Sequence, residues 1–363
     1  MSEPRCLPRG GASLAIFVFA SLLSVQLGLA PANQDRVEVP DEPACASCSL
    51  QFRIVTTLEA PINNPAAAAC QESIVETDGR RFFMAPTCEE GRIAVYGMTG
   101  RLQEVVGRSG QGPGEFRPIR SLFVSEAGTL HVFDLGRRHT VLSPELQPVL
   151  VQAGLPPPFD AIVQPDGSSV SQITSSSESA AGYPLHAIGP QGQVLKSFGA
   201  DLPNFRRDRP GRMFRTLAAL EDGWLWSARF SPYEIELWHP DLGHRTTLIR
   251  DPTWFEPDIE RSTGDKVHDI RLDTNSNDRL WVVISLKVED WNPPDDRLPS
   301  ASDMDAILDT VVEVIDTTTG DLVASARTDM AFTRWAGEYL FHPRDLPNGD
   351  IVMEIWEVSL TEH

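Results

Sequence analysis

Six short runs of β-branched and aromatic residues recur along this chain, each led in by a turn, and no helical period competes with them. The runs are Arg81 to Ala85, Leu130 to Asp134, Ser169 to Ile173, Leu225 to Arg229, Leu280 to Ile284 and Ile351 to Ile355. The turns before them are Asp78-Gly79, Ala127-Gly128, Asp166-Gly167, Asp222-Gly223, Asn277-Asp278 and Asn348-Gly349. Gly and Asn accept positive φ at little steric cost, so these pairs read as hairpin turns. Successive runs lie roughly 40 to 70 residues apart, the scale of a four-stranded propeller blade with loop insertions. The pattern predicts an all-β chain: a single six-bladed β-propeller of four-stranded blades, with each run the second strand of its blade.

The same rhythm predicts how the ring closes. After Ile351 there is room for one short strand, Trp356 to Leu360, so the last blade lacks a member. Phe52 to Leu58, near the other end, is the strand available to complete it. Joining both termini in one sheet removes free edges. Two insertions interrupt the rhythm. Thr174 to Tyr183 is rich in Ser and Ala, and Val288 to Met304 carries Pro293-Pro294 and several acids. Both read as surface loops, in blades three and five, of the kind that carry recognition.

The N-terminus has the layout of an export signal. Arg5 and Arg9 precede an apolar run, Leu14 to Leu23, and Ala30-Pro31-Ala32 supplies a small-x-small cleavage site. This predicts a signal peptide over 1–32, a flexible leader over 33–44 and the propeller over 45–363, in an exported protein, periplasmic or extracellular. The alternative is an uncleaved N-terminal membrane anchor. Export makes four cysteines, Cys45, Cys48, Cys70 and Cys88, disulfide candidates with three possible pairings. A redox Cys45-x-x-Cys48 motif lacks a strand–helix context, and a zinc site lacks a second close cysteine pair. Fifty-one acids against 31 bases give a net charge of −20, and no Lys/Arg cluster forms a track for phosphates. Nucleic acid is therefore not an expected partner.

Gly110 to Pro118 (Gly-Gln-Gly-Pro-Gly-Glu-Phe-Arg-Pro), then Leu122 to Val124, Gly128 to Asp134 and Thr140 to Ser143, resemble an NHL-type propeller repeat. The stretch is similar to one shared by exported bacterial six-bladed β-propeller proteins, which often carry an N-terminal cysteine pair as well. Blades one and two carry the resemblance in letters; later blades match in rhythm only. Leu135 to Arg138 lacks the Asn common after the NHL Asp. The resemblance implies a fold and an exported location, and no defined activity.

A Gly-rich stretch also invites a phosphate-loop reading. Such loops need free amides beside a helix N-terminus, whereas this one lies between strands and ends in Glu115, which repels phosphate. The glycines read as an inter-blade crossing, with Phe116 as its anchor in the core. Asp273 to Asp278 has the alternating oxygens of a calcium loop but lacks Gly at the sixth position and Glu at the twelfth, so it reads as a polar turn. Asp290, Asp295, Asp296, Asp303 and Asp305 form an acid-rich run, a solvated loop that leaves Ca²⁺ as the one conceivable cofactor. No His-Glu-x-x-His or Gly-x-Ser-x-Gly motif is present.

What remains is positional. Inner-strand starts crowd one mouth of a propeller's channel, and the candidates there are Arg120, Asp160, Arg215, His268, Asp269, Glu338 and Tyr339. Mixed charge converging on a mouth is what a site for a small polar ligand looks like. The expected function is a monomeric, exported, non-catalytic binding or scaffold module whose partner is a protein or small polar ligand. The alternative is a metal-dependent hydrolase or lyase, lactonase-like, working at the channel.

Overall fold

The computed structural model describes residues 35–59, 73–86, 91–173, 181–199, 213–257, 265–274, 276–288, 301–332 and 334–363. Two strands precede the first complete blade: β1 (Asp35–Glu38) and β2 (Cys48–Leu58). Blade one is β3 (Ile74–Thr77), β4 (Arg81–Ala85), β5 (Ile93–Gly97) and β6 (Leu102–Val106). Blade two is β7 (Ile119–Val124), β8 (Leu130–Asp134), β9 (Arg138–Leu142) and β10 (Pro148–Ala153). Blade three is β11 (Asp160–Val163), β12 (Ser169–Gln172), β13 (Leu185–Ile188) and β14 (Val194–Phe198). Blade four is β15 (Arg215–Ala219), β16 (Leu225–Arg229), β17 (Glu234–His239) and β18 (Gly243–Ile249). Blade five is β19 (Lys266–Asp273), β20 (Ser276–Lys287), β21 (Leu308–Asp316) and β22 (Leu322–Thr328), with a short helix α1 (Ala301–Ile307) before β21.

Blade six closes the ring. It is β23 (Trp335–Ala336), β24 (Tyr339–Asp345), β25 (Ile351–Glu362) and, as the outer strand, β2 from the other end of the chain. Cys48 stands opposite Glu362 and Leu58 opposite Met353. The expected closing strand thus forms and reaches four residues further back than Phe52. Ile351 to Ile355 and Trp356 to Leu360, expected as two strands, are one continuous β25, and it is third in its blade rather than second. The hairpin at Asn348-Gly349 therefore joins the second strand to the third.

Burial explains which strands were conspicuous. Blades pack face to face, so a middle strand is covered on both sides: β5 and β8 are buried at every residue. Outer strands meet solvent, and β6 and β10 read as mixed polar and apolar. Each interface between blades has its own core. The largest joins blades four and five and includes Trp226, Ile235, Ile270 and Val282. The smallest joins blades two and three and has Phe123, Phe133 and Val163 as its buried apolar residues. A buried polar ladder fills out that weak interface. Ser125 and Thr129 are 2.6 Å apart, Thr129 and His131 3.1 Å, His131 and His139 3.0 Å, and His139 and Gln152 3.2 Å. Gln152 then donates to the Pro190 carbonyl of blade three.

Residues 33–44, expected as a flexible leader, are bound where described. Strand β1 adds in parallel to the outer edge of β18, pairing Asp35 with Thr246 through Glu38 with Ile249. The Val39 amide donates to Ile249 and the Ala44 amide to Leu322, so the segment runs from blade four to blade five. Its Asp41 bonds Arg250, which also forms a buried ion pair with Glu313 at 2.9 Å. Cys45 and Cys48 form a disulfide at the start of β2. Cys70 and Cys88 lie outside the described residues, as do 174–180 and 289–300 of the two insertions.

The Gly-rich crossing behaves as its composition dictates. Glu115 turns back on its own loop, accepting from the Gln111 and Gly112 amides at 3.0 and 2.8 Å and pairing with Arg108. The amides that a phosphate would need are held by this carboxylate. Phe116 is buried in the core between blades one and two. Asp273 of β19 stands opposite Ser276 of β20, so Asn277 and Asp278, expected as a turn, belong to the strand.

Candidate functional site

The inner strands β3, β7, β11, β15, β19 and β23 touch in cyclic order around the axis. Where they begin, they line a cavity of about 590 Å³. Blade one contributes Ser73 and Ile74, blade three Phe159 and Asp160, blade four Thr216, blade five His268 and Asp269, and blade six Arg334. Phe341, Pro343 and Met353 of blade six and Ala331 supply an apolar wall. Helix α1, at the end of the blade-five insertion, adds Met304. The next residue, Asp305, holds the helix in place by accepting from His342 Nε2 and the Ala331 amide, both at 2.8 Å.

The polar floor has one guanidinium, Arg334, among three carboxylates, of which Asp160 and Asp269 line the cavity and Glu76 does not. Arg334 Nη2 lies 3.3 Å from Asp160 Oδ1 and 4.0 Å from Glu76 Oε1, and Arg334 Nε lies 4.0 Å from Asp269 Oδ2. Its planar head also rests over the Phe123 ring, 5.4 Å from the centroid. Both aspartates are fixed by backbone amides. Asp160 accepts from Ala161 and Leu217 at 2.8 and 2.7 Å, and Asp269 from Ile270 and Trp335, both at 2.8 Å. Burial works against the Arg334 charge, but Asp160, Asp269 and Glu76 outweigh it and hold the guanidinium above its usual pKa.

Thr216 links the two aspartates. Its hydroxyl is 2.9 Å from Asp160 Oδ2 and also in contact with Asp269 Oδ1. A hydroxyl has one proton to donate, so two ionised carboxylates would leave one contact between lone pairs. A proton on Asp269 resolves this: Asp269 donates to Thr216 and Thr216 donates to Asp160. Burial, reinforced by the Asp160 charge, pushes Asp269 up to about 7 against Arg334, Thr216 and the Trp335 amide. Glu76 is pushed up to about 8, chiefly by burial and further by the two aspartates, with Arg334 opposing. The floor thus stores protons near neutral pH.

Two lining residues, Phe159 and His268, form the aromatic rim of the cavity and belong to a cluster with Phe214 and Phe230, which do not line it. The rings of Phe159, Phe214 and Phe230 are 4.9 to 5.5 Å apart between centroids, and His268 lies 5.7 Å from Phe230. All four rings are half-buried.

Of the sequence candidates, Asp160, His268 and Asp269 line the cavity together. Arg215 is fully buried, and its charge acts on Glu236 of its own blade. Arg120 is exposed on β7, beside a bulge between Ile119 and Ser121, and does not line the cavity. Glu338 and Tyr339 sit at the β23–β24 turn, at the other end of the inner strand. There Glu338 accepts from Thr274, and Tyr339 packs edge-on against Phe82 at 5.6 Å. Their displacement follows from the phase error in blade six. Counting the Ile351 run as a second strand makes β24 the inner strand, whereas the inner strand is the two-residue β23 and its lead-in residue is Arg334. Arg334, Glu76 and Thr216 were missed for related reasons. A two-residue strand has no hydrophobic signature, and Glu76 and Thr216 are single polar residues within short inner strands, Ile74–Thr77 and Arg215–Ala219. Counting strands back from the closing strand would have reached Arg334.

Among the described residues, no group of three or more His, Cys, Asp or Glu is arranged to hold a metal ion. The carboxylates converge on a guanidinium instead. No described helix is long and apolar enough to cross a membrane.

No protein-family model matches the sequence, and no curated protein matches it. Solved structures do match the fold. A Bacteroides fragilis NCTC 9343 protein described as exported has a TM-score of 0.56 at 9% identity, over 89% of this chain and 99% of that one. The β-propeller domain of Cps50 (Swd1) from Myceliophteria thermophila has a TM-score of 0.44 at 12% identity, over 85% of this chain and 100% of that one. At these identities the likeness concerns the fold alone.

Proposed function

We propose that this chain is an exported, non-catalytic binding propeller that takes one small organic molecule in its channel mouth. The observation that carries the reading is the cavity itself. It has a polar floor drawn from several blades, an apolar wall and an aromatic rim, the usual make-up of a small-ligand pocket. Both floor aspartates are tied to backbone amides, which suits a rigid recognition surface. Export is supported by the signal-like N-terminus, by the Gly-rich stretch similar to that of exported six-bladed propellers, by the Cys45–Cys48 disulfide and by the exported description of the Bacteroides neighbour.

A ligand-observed NMR screen of small organic molecules tests the binding reading. Hits are expected to saturate at one site and to vanish in Ala331→Phe, which fills the cavity, and to weaken in Phe159→Ala, which opens its rim. Hits that persist unchanged in both variants would overturn the mouth as the site. For export, the protein recovered outside the cytoplasm of a bacterial host is expected to begin near Asn33. Full-length chain confined to the membrane fraction would favour the anchor instead.

A further inference from the structure

Hydrogen-bonding capacity at the cavity floor is unevenly spent. Asp160 has a partner for each of its four lone pairs: Ala161 and Arg334 on Oδ1, Leu217 and Thr216 on Oδ2. Asp269 has a backbone amide on each oxygen, needs its own proton for Thr216, and turns what is left of Oδ2 toward Arg334. Neither carboxylate leaves an acceptor for a ligand. The guanidinium is the reverse. Of the five N–H groups it carries, one is hydrogen-bonded to a described residue, Nη2 to Asp160 at 3.3 Å. Its approaches to Glu76 and Asp269, at 4.0 Å, are too long for hydrogen bonds. Arg334 lines the cavity, and its side chain keeps 21% of its exposure. The lining charges already cancel, Arg334 against Asp160, with Asp269 protonated. Donors are therefore what the floor has to offer, and it offers them without a net charge.

We propose that the mouth selects an uncharged carbonyl compound with an apolar, ring-bearing body, its carbonyl oxygen accepting from Arg334 and its body packed against the Phe159–His268 rim and the wall of Phe341 and Met304. This rests on the mouth being a small-molecule site and adds the class of ligand. A carbonyl oxygen has two lone pairs and no proton, so it takes up unspent N–H groups without asking for an acceptor or adding a charge. An anion would set a second negative charge beside Asp160 on one guanidinium, and the net charge of −20 repels it at long range. A cation would stand against Arg334 with no open carboxylate oxygen to receive it. The rest of the lining suits a flat apolar body: aromatic rings offset-stack or meet edge to face, and the methionine thioether adapts to irregular shapes.

The test is a ligand-observed NMR titration at pH 6, where Asp269 and Glu76 hold their protons. Four probes share a phenyl body: 4-phenylbutan-2-one, 4-phenylbutan-2-ol, the 4-phenylbutan-2-yl ammonium ion and 3-phenylpropanoate. The ketone is expected to saturate one site and to bind roughly fivefold more tightly than the alcohol, whose hydroxyl proton is left without an acceptor, with both ions weaker still. Arg334→Met is expected to weaken the ketone by roughly tenfold, the worth of a hydrogen bond to a charged group, and to abolish its lead over the alcohol. An unfolding midpoint verifies that this variant is folded. A second measurement needs no variant: the ¹³C resonance of a carbonyl-labelled ketone bound to the unaltered protein. It is expected at or downfield of its position in water, as for an oxygen that accepts a hydrogen bond. A resonance near its position in hydrocarbon solvent, an alcohol or ion that binds as tightly as the ketone, or a ketone affinity indifferent to folded Arg334→Met would overturn the carbonyl assignment while leaving the mouth as a site. Absence of binding by all four probes also overturns it, and the pocket reading then stands or falls on the wider screen and its cavity-filling variant.

Discussion

Arg334 and Asp160 meet at 3.3 Å although they come from blades six and three, which face each other across the ring. The pair spans the axis, so it ties together parts of the propeller that share no interface. Removing the guanidinium leaves three carboxylates without their cation. Arg334→Met is expected to cost roughly 3 kcal/mol, as for breaking a buried pair from one side. The loss should be larger at pH 8 than at pH 5.5, because the stranded carboxylates recover part of it by taking up protons. Urea unfolding at the two pH values measures this, and an equal loss at both would contradict the arrangement.

Glu76 and Asp269 predict a stability that declines toward alkaline pH. Both are carboxyls raised to about 8 and about 7 in the folded chain, against ordinary values near 4 when unfolded. Between those limits the folded state holds the extra proton, so raising the pH through this window favours unfolding. The slope is at most about 1.4 kcal/mol per pH unit for each group. Glu76→Gln mimics the protonated form. It should match the wild type at pH 5 and exceed it in stability at pH 8.5.

The histidine ladder between blades two and three predicts the opposite limb. Burial holds His131 down to about 3, with the neighbouring His139 adding to it, and holds His139 down to about 4. Gln152 donates to Pro190, so its oxygen accepts from His139 Nδ1, whose Nε2 then accepts from His131 Nδ1. A second proton on either ring breaks that order. The unfolded chain takes up protons below about pH 6.5 and the folded chain does not, so stability falls as the pH drops from there toward 4. Replacing both histidines by Gln should lower stability at pH 7 by roughly 2 kcal/mol, from lost buried hydrogen bonds, and flatten the acid limb. Unfolding midpoints from pH 7 to 4.5 give the comparison.

Gly107 marks the end of blade one, with φ at +84°. A Cβ there would stand 2.5 Å from the Phe116 ring and 2.9 Å from the Gly91 carbonyl oxygen. Gly107→Ala therefore combines a left-handed backbone strain with a clash in the core between blades. It should destabilise by roughly 2 kcal/mol or more in thermal or urea unfolding. Gly79→Ala, at a similar φ with no neighbour within 4 Å, carries the backbone strain alone and should cost less.

Much of the ring is legible in the sequence. Five of the six marker runs are the second strands they were expected to be: cover on both faces keeps runs such as Phe82 to Ala85 and Leu280 to Ile284 apolar, and the polar β12 is marked by the Asp166-Gly167 turn before it. Such a run stands out against turns rich in Gly and Asp. The closing strand was readable because a four-stranded blade was one strand short. The leader was misread for the converse reason: Asp35 to Glu38 is polar, and what orders it is the free edge of β18, supplied by residues some two hundred positions away.

The site divides along the same line. Asp160, His268 and Asp269 could be placed at the mouth because local rhythm locates the first half of an inner strand: Asp160 opens β11, and His268 and Asp269 are the third and fourth residues of β19. Arg334 could not, because its strand is two residues long and its phase is set by β2 at the far end of the chain. Local pattern along the chain sets the blade count, the second strands of blades one to five and the closure of the ring, since these follow from two-sided burial and from turns. That carboxylates of blades one, three and five meet one guanidinium of blade six is set by the closed ring. That pairing depends on distances across the axis, and residues brought together by a closed ring need share no pattern along the chain.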